Sequence, residues 1–220
     1  MINIKEKEME EIIKYISTQG LALFIVSFII YFGAQFIKIY LDKLKRKNDV
    51  KHHDELIVLR RKIGKEIQTI LQNMVLRTRG VRAYTFEFHN GTLSMGGLPF
   101  CKMSCTYEEL DENAKSVIND RQDLSLSLYS TFIESLYENR CVVIDTTNRN
   151  DVHSTLEYET LIKRGVITTV RASISNKSNR VFGFIGVDYT TSQTDETITE
   201  AVRIVQDTAI KIGALLSIDE

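Results

Sequence analysis

The sequence predicts an α+β fold: an antiparallel sheet of about five strands flanked by N- and C-terminal helices, preceded by one transmembrane helix. Three observations predict it. An uncharged apolar run, Gly20–Ile37, reads GLALFIVSFIIYFGAQFI. Two helix-period apolar stripes lie near residues 54–78 and 198–216. Between them, short strand-like runs alternate with turn residues and two helical segments.

The apolar run comes first. A stretch of this length crosses a hydrocarbon core of ~30 Å as a helix, and a helix satisfies its own backbone amides there. Lys38, Lys43, Lys45, Arg46, Lys47 and Lys51 follow it, whereas Lys5, Lys7 and Lys14 precede it. The excess of basic residues on the C-terminal side places that side in the cytoplasm. The n-region is long and acidic and no A-x-A site follows, which argues against a cleaved signal peptide. The expected organisation is an extracytoplasmic amphipathic segment 1–19, a transmembrane helix 20–41, a basic juxtamembrane and connecting helix 42–79, and a cytoplasmic domain 80–220. Helix 54–79 packs as the first helix of that domain. The expected location is the inner membrane, single-pass, with the lipid bilayer as a partner.

In the connecting helix Ile63, Ile67, Ile70 and Met74 share one face, extended upstream by Leu56 and Leu59. Asp54 is a reasonable N-cap and Gly80 a natural stop. At the other end Ile198, Val202, Val205, Ala209, Ile212 and Leu216 form a heptad seam. Leu71, Val75, Ile204 and Ile210 widen both stripes. These helices either pack on the sheet of their own subunit or pair with a second copy in a four-helix bundle. A homodimer is the expectation, because tethering to a membrane raises the local concentration of partners.

Between the helices, residues 81–88 alternate, with Tyr84, Phe86 and Phe88 on one face and Thr85, Glu87 and His89 on the other. Residues 98–105 form a second strand, 124–139 a helix, 141–145 a short buried strand, and 154–164 a helix ended by Gly165. Residues 166–174 and 181–190 are two strong strands joined by a hairpin turn at Asn176–Asn179.

The stretch GVITTVRASISNKSNRVFGFIGVDY resembles the last two strands of a GAF domain. In that family a glycine opens the penultimate strand, and an aromatic-Gly-aliphatic-aliphatic-Gly run forms the last. Gly165 and Phe182-Gly183-Phe184-Ile185-Gly186 match this pattern, and the element order over about 54–218 agrees with it. PAS-like domains share the layout but usually lack the double-glycine strand. The stretch FEFHNGTLSMGGLPFCKMSCT is similar to a segment of small GAF-like proteins of unassigned function, some phage-encoded. That second resemblance implies no activity.

The GAF resemblance implies a ligand held between the loops and the sheet face opposite the terminal helices. On strand 166–174, Ile167, Thr169, Arg171 and Ser173 share a face. If the polar faces of the two strands coincide, Glu87, His89 and Arg171 converge on one cavity that suits a small polar or anionic ligand. The alternative is an internal ion pair that fixes the sheet. Asn90-Gly91 favours a tight turn with positive φ, leading into a loop, Met95–Phe100, that could close over the pocket. Cys101 and Cys105 lie four apart and face the same side. The candidate ligand-binding residues are therefore Glu87, His89, Asn90, Arg171, Cys101 and Cys105. Asp188 faces either the phenylalanines or the pocket.

Composition narrows the function classes. Hydrophobic content of 43% and charged content of 26% predict a packed core. A net charge of −1 gives no global attraction to nucleic acid. The three cysteines, Cys101, Cys105 and Cys141, read as free thiols of a reducing compartment. No P-loop, dinucleotide fingerprint, zinc-protease motif or deaminase signature is present, and no catalytic residue or metal site is assigned. The Asn-Lys-Phe-Asp-Glu pattern of cyclic-nucleotide-binding GAF domains is absent too. A lone His89 or His153 is more often a core residue than a haem ligand. The expected function is a membrane-anchored ligand-binding sensory module that acts through dimerisation or a protein partner, with its ligand or cofactor unassigned. The alternative is a ligand-free interaction platform at the inner membrane, of a kind a phage could use to modulate a host membrane complex.

Overall fold

The computed structural model describes residues 2–93, 99–112, 114–148 and 155–217. The chain divides into two compact units, Met1–Leu59 and Arg60–Glu220. Helix α1 is assigned over Ile2–Thr78. Within the first unit most of its described apolar side chains are exposed: Phe36 is 71% exposed and Ile39 63%. Among the described residues no helix is long and apolar enough to cross a membrane. The side chains of residues 18–30, most of the Gly20–Ile37 run, lie outside the described residues.

The second unit is built on a six-stranded antiparallel sheet. Its strands are β1 (Arg82–Leu93), β2 (Pro99–Leu110), β3 (Leu124–Ser125), β4 (Cys141–Asp145), β5 (Thr168–Ser175) and β6 (Val181–Tyr189), in the order β3-β2-β1-β6-β5-β4. The sixth strand is the two-residue β3, which pairs with Lys102 and Met103. The sequence pattern places these residues in a helix because leucine and serine there fit either period. A 3₁₀ turn, Leu126–Tyr129, follows β3, and α2 then runs over Ser130–Asn139.

One face of the sheet packs on the 60–78 part of α1 and on α4 (Asp195–Leu216). Ile67, Leu71, Met74, Val205, Ala209 and Ile212 meet Ala83, Val170, Ile185 and Val187 in this layer. The α4 seam thus faces its own sheet, with Val205 and Ile212 fully buried. The homodimer expectation cannot draw on that seam, because burial against the sheet uses the same side chains. Leu76 and Ile210 stay exposed, at 70% and 73%. Thr194 caps α4, its Oγ1 accepting the Thr197 amide at 3.3 Å, and Asp195 and Glu196 occupy the first turn.

The opposite face carries Tyr84, Phe86, Phe184, Met103 and Cys105. It is closed by Tyr129, Phe132 and Leu136 of the 3₁₀ turn and α2, and by Leu161 of α3 (Thr155–Lys163). Phe86 and Phe184 stack at 4.7 Å, and Phe132 meets Phe184 edge-on at 5.2 Å. Gly165, at φ +66, ends α3 as the sequence predicts. Asn176 closes the β5–β6 turn by accepting the amides of Ser178 and Arg180 on its side-chain oxygen.

Asn90-Gly91 does not make the expected tight turn. The chain stays in β1 to Leu93, with a register shift between Asn90 and Leu93 where pairing with β2 resumes at Pro99. Residues 94–98, most of the proposed covering loop, lie outside the described residues.

Candidate functional site

The aromatic face holds an unusual density of charge. Its geometry follows from strand register. Tyr84 and Arg171 both lie opposite Gly186, one from each neighbouring strand, and Arg82 and Thr169 both lie opposite Asp188. Each row therefore presents its side chains together on one side of the sheet. Gly186 is required by this arrangement, since a Cβ there would stand 2.6 Å from the Tyr84 hydroxyl oxygen. Gly183 serves a parallel need, because its Cβ would stand 2.2 Å from the Phe86 carbonyl oxygen. The two glycines of the last strand are thus packing requirements.

Asp188 is fully buried. Its Oδ1 accepts from the Tyr84 hydroxyl at 3.0 Å and from Thr169 Oγ1 at 2.8 Å, and its Oδ2 accepts from Arg82 at 3.0 Å. Arg82 Nε also lies 3.1 Å from Glu108 Oε1, without hydrogen-bond alignment. Arg171 donates from Nε to the Tyr84 hydroxyl at 3.0 Å and pairs with Glu157 of α3. Its guanidinium also lies 4.7 Å from the Phe132 ring centre. Burial pulls Arg171 down, but Tyr84, Glu157 and Asp188 outweigh it, so the guanidinium stands above its ordinary value. Tyr84 is also raised, first by burial.

Two further arginines enter this core. The Cys105 amide donates to the Arg121 carbonyl at 2.8 Å, and Gln122 Nε2 donates to the Cys105 carbonyl at 2.8 Å. These bonds fix residues 121–122 beside β2 and direct Arg121 over the Phe86 ring at 4.3 Å. Arg121 is 3% exposed, yet its Nε and one terminal nitrogen meet no acceptor among the described residues. Arg164 follows α3, and one of its terminal nitrogens is likewise buried without an acceptor among the described residues. Burial and the charges of Arg121 and Arg171 push Arg164 down to about 10.

The predicted site residues separate into three places. Arg171 and Cys105 belong to the aromatic interior. Glu87 lies on the other face, paired with Arg60 of α1, so Glu87 and Arg171 do not converge. The expectation fails because Arg171 shares a face with the β1 aromatics rather than with the β1 polar residues, a matter of register. His89, Asn90 and Cys101 do come together, with Phe88, Leu126 and Tyr137, around a pocket of about 720 Å³ at the sheet end. His89 Nε2 lies 2.9 Å from Ser104 Oγ there. Cys101 also lines a neighbouring pocket of about 560 Å³ with Ile133 and Glu134.

The cysteines are free. Burial pushes the Cys105 thiol up to about 12 and the Cys141 thiol up to about 11, so neither is a thiolate at neutral pH. Among the described residues no group of three or more potential ligands could hold a metal.

The sequence pattern missed Glu157, Arg164 and Arg121. Glu157, Leu161 and Arg164 step by four and three, so an acid and a base occupy core positions of one helical stripe. That placement was a readable signal. Arg121 has no periodic signal, since it sits in an irregular segment placed by bonds to β2.

No protein-family model matches the chain, and no curated protein matches it. Solved structures do. The GAF domain of PixJ from Thermosynechococcus elongatus, in its blue-light-absorbing form, is 9% identical with a TM-score of 0.51, covering 70% of this chain and 87% of that one. A far-red-absorbing dark-state protein with bound biliverdin IXa is 11% identical with a TM-score of 0.52, covering 74% and 96%. The third GAF domain of Slr1393 from Synechocystis is 7% identical with a TM-score of 0.50, covering 69% and 93%. At these identities the likeness is one of fold, and it agrees with the double-glycine last strand and the two flanking helices. The second unit of the chain has a GAF-like α+β fold with a six-stranded antiparallel sheet.

Proposed function

We propose that the chain is a ligand-binding sensory module whose small polar ligand is received on the aromatic face of the sheet. One observation carries this reading: Tyr84, Thr169, Arg171, Asp188 and Glu157 form a connected polar assembly inside an aromatic core. Such groups are costly to bury, and well-packed apolar residues are often as stable or more so. Locally unfavourable choices of this kind concentrate at functional sites. The GAF-like fold supports the reading, and a bound biliverdin in one structural neighbour is consistent with it.

The proposal includes an inner-membrane anchor at 20–41 with the domain on the cytoplasmic side. It is supported by the uncharged run, its basic flank and the exposed apolar side chains of the first unit. Output passes through a second copy or a protein partner, for which Leu76 and Ile210 are exposed apolar positions.

A second reading, a ligand-free platform such as a phage-encoded modulator of a host membrane complex, is favoured by the buried aromatic cluster of Phe86, Phe132 and Phe184 that fills the same face. Native mass spectrometry of the full chain, purified in mild detergent without added ligand, separates the two. A reproducible small-molecule adduct is the expected result. Bare protein in repeated preparations would overturn the sensory reading.

A further inference from the structure

The charges of the aromatic core do not balance pairwise. Arg82 faces Asp188 and Glu108, and Arg171 faces Glu157. Among the described residues no carboxylate lies within ion-pair distance of Arg121 or Arg164. A buried charge without a partner is strongly destabilising. Stacking of Arg121 on Phe86 offsets part of that and leaves its Nε and one terminal nitrogen without an acceptor among the described residues.

From this we infer that Arg121 and Arg164 receive a compact oxyanion, a phosphate or carboxylate group of the module's ligand. The inference rests on the ligand-binding reading above and names the chemistry of that ligand. Guanidinium N–H groups suit such oxyanions, because the planar fork matches their spacing and the bonds are charge-assisted. The two arginines reach the core from separate covering segments, one beside β2 and one after α3. An anion held by both would join those segments, which gives the ligand a differential effect on the cover. Arg171 is a poorer receptor, since Glu157 and Tyr84 already occupy it.

The test titrates inorganic phosphate, and separately succinate, into the full chain at constant ionic strength, with chloride as control. Thermal unfolding and calorimetric binding are read together. The expected result is a saturable rise in Tm with one of the two probes, and the responding probe identifies the oxyanion. Arg121→Met and Arg164→Gln should each weaken that binding by about tenfold or more. Arg121→Met without ligand should be as stable as the parent or more so, since an unpaired buried charge is removed. Should Arg121→Met fail to fold, Arg164→Gln gives the same reading from a less buried position.

No saturable response to either probe would overturn the inference, as would unchanged binding in both variants. A structural role for Arg121 in stacking predicts a destabilised Arg121→Met with binding intact. An adduct without an anionic group in native mass spectrometry would overturn the oxyanion inference and leave the sensory reading standing. Absence of any adduct would overturn the sensory reading itself.

Discussion

Replacing Asp188 by alanine should be among the most damaging single changes in the domain. The carboxylate is fully buried and accepts hydrogen bonds from Tyr84, Thr169 and Arg82. Its removal leaves Arg82 with the Glu108 carboxylate and the Lys115 carbonyl and strips the shared acceptor from two buried hydroxyls. Breaking a buried ion pair by deleting one partner costs about 3–5 kcal/mol. For a domain of roughly 150–250 residues this lowers Tm by about 6–20 °C. Asp188→Asn keeps the shape and one acceptor and should lose about 1.5–3 kcal/mol, the range for a charge-assisted bond. Urea denaturation followed by circular dichroism measures both, with the slope m as a check that the same surface unfolds. A loss below about 1 kcal/mol for Asp188→Ala, with m unchanged, would show that the carboxylate is not a structural hub of the core, because that is the behaviour of an ordinary surface position.

Three other outcomes follow from the same geometry. Gly186→Ala should destabilise by about 1–3 kcal/mol, because its Cβ meets the Tyr84 ring; equilibrium unfolding reads it, and Tyr84→Phe in the same chain should recover part of the loss. Cys105 is raised by burial from 9.0 to about 12, so the unfolded chain loses its proton first. Its contribution to stability is complete below about pH 9 and is lost as pH rises to about 12, and Cys105→Ala should show a shallower alkaline decline in urea midpoints. Glu87→Ala should cost less than about 1 kcal/mol, since its pair with Arg60 is partly exposed, and should leave any adduct in place; loss of the adduct would return Glu87 to the site.

The legible parts of the fold were those with a strong period. The α4 seam, the β1 alternation and the double glycine of β6 each point to the element observed. The stop of α3 at Gly165 was legible because positive φ there favours a glycine. The site was less legible because it depends on register between strands distant in sequence. Arg171 joins Tyr84 through Gly186, and nothing in either segment alone specifies that row. Glu87 looked like a site residue because it is an acid on an alternating strand, yet its face is the one covered by helices. Asp188 was ambiguous for the same reason and resolves toward the aromatic face. Cys101 and Cys105 do share a face, as their spacing requires, but they serve a surface pocket and the buried core respectively.

The most direct test of the central claim is a paired native mass spectrum of the full chain and its Arg121→Met variant, purified identically without added ligand. A reproducible anionic adduct on the parent chain, lost from the variant, is the expected result. An adduct retained unchanged by the variant, or absent from both, would contradict that claim.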